Sequence, residues 1–138
     1  MRRLVSLGLF IVAAVPARAE TNQQFDLKCT GTQNFYNTGV KTNGSFSRVL
    51  HVDLDRREYC QDACTEIKKI KDVNSLEITF GDVNNHGGAV DTFVSKENVN
   101  RQTGTYERVL IDIGRFQTGS AKAICEPAPF TPFPNTKF

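Results

Sequence analysis

The chain has 138 residues, 39% hydrophobic and 23% charged, with four Cys, no Trp and a formal net charge of +2. That length leaves room for one domain, which excludes a multi-domain enzyme. The composition is globular, which argues against a disordered, collagen-like or coiled-coil chain.

Residues 1–19 read as a cleavable secretory signal peptide. Arg2 and Arg3 supply the positive start, residues 4–15 an uncharged, mostly apolar run, and Ala17-Arg18-Ala19 a small-x-small cleavage site. The run is shorter than the roughly 20 residues a spanning helix needs, and no later run approaches that length. Cleavage after Ala19 places residues 20–138 in the periplasm or outside the cell as one β-domain, with no transmembrane segment. It removes three Arg, so 14 basic groups face 15 acidic ones and the net charge becomes −1. A near-neutral domain has no global field to attract nucleic acid, and none is expected as a partner.

The four Cys lie in the exported part, and an even count there reads as disulfides. Three pairings are possible. The favoured one is Cys29 with Cys125, tying the first strand to the last, and Cys60 with Cys64, closing a local loop.

Residues 24–33 alternate, with Phe25, Leu27 and Cys29 on one face, and predict a strand. Residues 34–44 are rich in Asn, Thr and Gly and predict a loop turning at Asn43-Gly44. Residues 46–54 predict a strand with Leu50, Val52 and Leu54 inward and His51 and Asp53 outward. Residues 66–73 suit a short helix or a strand equally. Residues 76–80 and 89–95 predict strands separated by a polar loop, 82–88. Thr103-Gly104 marks a reversal. Residues 106–113 predict a strand whose inner face is Val109, Ile111 and Ile113. Residues 127–138 form a Pro/Phe-rich tail that the prolines keep out of any central strand. The sum is an all-β fold of about seven to eight strands with little helix, an antiparallel meander forming a barrel or a strongly curved sheet.

Few residues carry chemistry. Cys60 and Cys64 have spacing suited to a redox pair or soft-metal ligands. Copper-handling proteins of the Sco type also use Cys-x-x-x-Cys, on a thioredoxin-like fold whose βαβ pattern is missing here. His51 and Asp53 share a strand face and form a candidate acid–base pair. Asp53, Asp55 and Glu58 are exposed acids that a small hydrolase would need, but most soluble domains have such residues. Asn84, Asn85 and His86 lie in a turn-forming loop and are candidate partner contacts, as is the loop at 34–43. No cofactor motif is present.

Cys29, Tyr59-Cys60-x-x-x-Cys64, Asn100-Arg101-x-Thr103-Gly104-x-Tyr106 and Cys125 before a Phe-containing tail form a set. It resembles uncharacterised small exported β-proteins of Gram-negative bacteria, over most of residues 25–138. The resemblance implies location and fold, and no activity. Within the hairpin, Arg101 and Tyr106 are expected to pair across the turn. Periplasmic lysozyme inhibitors of the C-type-specific class share the small size, the export and a Cys-closed β-barrel. Their Ser-Gly…Tyr loop is not matched by Thr103-Gly104-Thr105-Tyr106, so this is an analogy of architecture. The expected role is non-catalytic binding of a protein or envelope component. The alternative is a periplasmic thiol-redox or soft-metal-handling protein using Cys60 and Cys64.

Overall fold

A computed structural model describes residues 23–80 and 93–134. These residues form strands β1 (Gln24–Asn37), β2 (Val40–Asp53), β3 (Glu58–Gln61), β4 (Lys68–Lys69), β5 (Asp72–Val73), β6 (Glu77–Thr79), β7 (Phe93–Asn100), β8 (Thr105–Asp112) and β9 (Gln117–Ala128). The nine belong to one antiparallel sheet with the order β4-β3-β2-β1-β9-β8-β7-β6-β5. No helix occurs among the described residues.

The sheet curls into a half-barrel. Its two margins, β4 and β5, are consecutive in the chain with only Ile70 and Lys71 between them. The Ile70 N–H donates to the Arg57 carbonyl beside β3, and the Lys71 N–H to the Thr79 carbonyl of β6. Residues 66–73, open to either reading in the sequence, are therefore extended, because both margins need backbone partners there. This splits the segment into two short strands and brings the count to nine. Across the same seam the Tyr59 hydroxyl donates to the Phe80 carbonyl at 3.2 Å. Their rings lie 4.8 Å apart.

Alternation sets the core. Leu27 and Cys29 of β1, Leu50 and Val52 of β2 and Ala121, Ala123 and Cys125 of β9 all face the inside of the curl and are buried. Each large apolar side chain there contributes about 1.5–3 kcal/mol by leaving water. Cys29 lies directly opposite Cys125 in the β1–β9 register. Both expected disulfides are formed, Cys29–Cys125 and Cys60–Cys64.

Three expectations are corrected. The stretch at 34–44 is not a loop. β1 and β2 pair continuously, with Asn34 opposite Asn43, and the turn is Thr38-Gly39. Both turn residues have positive φ, 45° and 90°. Such a two-residue turn matches the twist of its flanking strands, so it prevails over Asn43-Gly44. In β8 the inner face is the opposite one. Tyr106 is fully buried, while Val109 and Ile113 are exposed. Tyr106 stacks on Phe46 at 5.1 Å, and that large ring fixes the pleat for the whole strand. Finally, β9 runs through Pro127, which pairs with Leu27 of β1. Pairing with β8 stops at Ile124, so the missing N–H of Pro127 falls on a side without a partner strand.

Candidate functional site

Two polar clusters and one exposed apolar end stand out. The first cluster lies on the outer face of β1 and β2. His51 and Asp53 are on that face, as expected, yet both are buried rather than in solvent. Neighbouring segments cover them. Asp53 accepts from the Gln24 amide at 2.7 Å and from the Arg56 backbone N–H at 2.9 Å, which holds the β2–β3 turn. His51 pairs with Asp26, not with Asp53. Its Nδ1 lies 2.9 Å from Asp26 Oδ1, and its Nε2 lies 3.0 Å from the Asp62 carbonyl. Asp26 also accepts from the Thr131 backbone N–H and from its hydroxyl. The chain from Thr131 through Asp26 and His51 to Asp62 thus fastens the tail and the Cys60–Cys64 loop to the sheet. His51 has both ring nitrogens occupied, and Thr131 bonds the carboxylate rather than the imidazole. That order does not assemble a nucleophile with its base. Cys60 is fully buried beneath the same loop, and its sulfur is held in the disulfide with Cys64.

The second cluster lies inside the curl. Glu97 is 4% exposed. Its carboxylate accepts from the Tyr106 hydroxyl at 2.6 Å, from Arg48 Nη1 at 3.1 Å and from the Gln61 amide at 3.0 Å. Burial, reinforced by the Glu97 charge, pushes the Tyr59 hydroxyl up to about 12 and the Tyr106 hydroxyl further in the same direction. Burial alone lowers the Arg48 guanidinium. The negative charges of Glu97 and Asp62 and the hydrogen bond to Glu97 outweigh it, and the group is raised. The cluster is a core network that joins β2, β3, β7 and β8, in which the buried Arg48 Nε makes no hydrogen bond and lies 3.9 Å from Asp62 Oδ2. Sequence alternation did not single out Glu97, because a lone acid in a strand reads as a solvent-facing residue.

The third feature is the far end of the sheet. Beyond Phe46 and Tyr106, strands β1, β2, β8 and β9 continue as a two-sided ribbon. Phe35, Tyr36, Val40, Val109, Ile113 and Phe116 are all exposed there. Registers bring them together, since Tyr36 lies opposite Thr118 and Thr118 opposite Ile111. On one face Tyr36, Lys41, Val109 and Ile111 line a hollow of about 520 Å³. On the other, Phe35, Val40 and Leu110 line a second of about 400 Å³. Phe116 is 76% exposed and has φ of 52°. A bulky residue in the left-handed region costs about 1–2 kcal/mol, and no burial offsets it here.

Of the candidate contacts, residues 34–43 belong to this end as a hairpin arm. Asn84, Asn85 and His86 lie outside the described residues. The expected contact between Arg101 and Tyr106 is not made. Tyr106 turns into the core, and Arg101 Nη1 donates to the Asn74 carbonyl at 2.8 Å.

Compared with family models, curated proteins and solved structures, the chain matches none.

Proposed function

We propose that the chain is an exported, non-catalytic binding domain that docks a protein of the periplasm or envelope through the far end of its sheet. The exposed ribbon carries this reading. Isolated apolar residues are ordinary on a surface, but aromatic and branched side chains grouped on both faces of one projecting end mark an interaction site. Tyr and Phe are also the residue types that anchor interfaces. Phe116 supports the same surface, because its backbone closes the β8–β9 turn while its ring is left 76% exposed. The loop at Asn84, Asn85 and His86 is proposed as a second contact.

Export rests on residues 1–19 and on the two disulfides, which persist in an oxidising compartment. No helix among the described residues is long and apolar enough to cross a membrane.

Hydrogen exchange read by mass spectrometry tests the docking surface. The mature protein is mixed with periplasmic extract in one arm and with a C-type lysozyme in the other, the latter addressing the inhibitor-like analogy. Protection of residues 34–42 and 109–118, lost in Phe116→Ser, is the expected result. Protection confined to other strands, or unchanged by Phe116→Ser, would overturn the reading.

A further inference from the structure

The other end of β1 holds a different feature, a cleft of about 410 Å³. Leu27, Ile78, Val99 and Cys125 line it, with Phe25 and Pro127 beside them and the turn at 100–104 as its mouth. Four of these lining side chains belong to the buried core. These four are at most 8% exposed and form the covered floor of the cleft, while Phe25, Pro127 and the turn form its accessible walls. Small-molecule sites favour the mouths of such sheets, and their volumes run from about 300 to 1,000 Å³. This one is near the lower limit, which suits one hydrocarbon chain and not two.

The mouth is rigid. Asn100 Oδ1 accepts from the Gln102 and Thr103 backbone N–H groups at 2.9 and 3.0 Å. The Thr103 hydroxyl donates to Thr105 Oγ1. Gly104 has φ of 71°, and a Cβ there would lie 2.7 Å from the Cys125 carbonyl oxygen. Asn100, Thr103 and Gly104 are therefore committed to the turn. Arg101 differs. Its backbone N–H donates to the Leu76 carbonyl and its guanidinium to the Asn74 carbonyl. These bonds pin it to the β5–β6 turn at the mouth of the cleft. Both acceptors are neutral, so among the described residues its charge has no acidic partner.

We propose that the cleft binds a single-chain amphiphile carrying one negative charge, a fatty-acid-like carboxylate. The apolar lining takes the hydrocarbon chain, and the free guanidinium donors of Arg101 hold the carboxylate. An uncharged apolar ligand would leave the pinned cation unused. A planar guanidinium also matches a carboxylate in a bidentate fork. This site is separate from the docking end, so either proposal survives the failure of the other.

Isothermal titration of the disulfide-intact protein with dodecanoate, below its micelle-forming concentration, is the test. One saturable site with a negative heat-capacity change is expected. Arg101→Gln is expected to weaken dodecanoate about tenfold, the scale of one charge-assisted bond, while binding of the uncharged dodecanol changes by less than about twofold. Val99→Phe fills the cleft and is expected to abolish both. Gln102→Trp covers the mouth from an exposed position and gives the same readout if Val99→Phe does not fold. The absence of saturable heat, or dodecanoate binding that Arg101→Gln and Gln102→Trp leave unchanged, would overturn the proposal. A second arm uses phosphatidylglycerol vesicles carrying labelled dodecanoate. Uptake of the label from the vesicles identifies a membrane source, and uptake from solution alone identifies a free one. Sedimentation of the protein with vesicles regardless of Arg101, with no uptake of the label, would replace the cleft by a surface site and overturn it.

Discussion

The Tyr106 hydroxyl donates to Glu97 Oε1 at 2.6 Å, joining neighbouring strands β8 and β7 at the centre of the curl. The same oxygen accepts from Arg48 of β2. One carboxylate therefore links strands from the two sides of the sheet, and its loss should be felt across the fold. Glu97→Gln removes the close, buried counter-charge of the Arg48 guanidinium and leaves it only the exposed Asp62 carboxylate at 3.9 Å. It is expected to cost about 3–5 kcal/mol. Tyr106→Phe removes one donor and leaves Arg48 and Gln61 on the carboxylate, at a cost of about 1.5 kcal/mol. Urea unfolding of the two variants checks the order. Equal or smaller loss in Glu97→Gln would contradict the network.

Alkaline pH tests the same cluster. Burial and Glu97 hold the Tyr59 hydroxyl at about 12, against about 10 for an unfolded Tyr, and raise Tyr106 as well. For a raised group the stabilisation is complete below the unfolded value and is lost as pH rises toward the folded one. The urea midpoint is thus expected to fall between about pH 10 and 12, and to fall less steeply in Tyr59→Phe. A midpoint that stays level over that window would refute the account.

Gly104 and Gly39 both have positive φ, 71° and 90°, yet they should differ on substitution. A Cβ at Gly39 meets nothing within 4 Å, whereas one at Gly104 meets the Cys125 carbonyl oxygen at 2.7 Å. Gly39→Ala is expected to cost about 1 kcal/mol, the conformational part alone. Gly104→Ala adds a steric clash and weakens the bond from the Cys125 N–H to the Gly104 carbonyl. It is expected to cost at least about twice as much. Thermal melts of the pair decide this, and a similar loss in both would show that the close approach is unimportant.

The two disulfides should also differ. Cys29–Cys125 spans 96 positions and Cys60–Cys64 spans four. Constraint of the unfolded chain predicts a loss of about 4–5 kcal/mol for Cys29→Ser with Cys125→Ser, and about 2 kcal/mol for the Cys60→Ser, Cys64→Ser pair. Guanidinium unfolding of the double variants measures both. A larger loss from the short loop would show that its role in holding Asp62 against His51 outweighs chain entropy.

Local alternation was enough to establish the all-β class, the inner faces of β1 and β2, and the reversal at Thr103-Gly104. Each depends on neighbours two residues apart and on a turn that only a few residue types tolerate. The even Cys count is equally local, and the pairing of first strand with last follows from a meander that curls on itself. What alternation cannot reveal is which second layer covers a face. Alternation reads His51 and Asp53 as solvent-facing because their strand neighbours are apolar, but the distant tail at Thr131 and the loop at Asp62 close over Asp26 and His51, and Gln24 and the turn at Arg56 hold Asp53. Alternation places Val109 and Ile111 in the core because they are apolar, but one stacked pair, Phe46 with Tyr106, sets the opposite pleat for β8. Segment 66–73 became strand only because two sheet margins met on it. The exposed end, the buried carboxylate and the apolar cleft are consequences of those long-range contacts, so the tertiary structure alone decided where they occur.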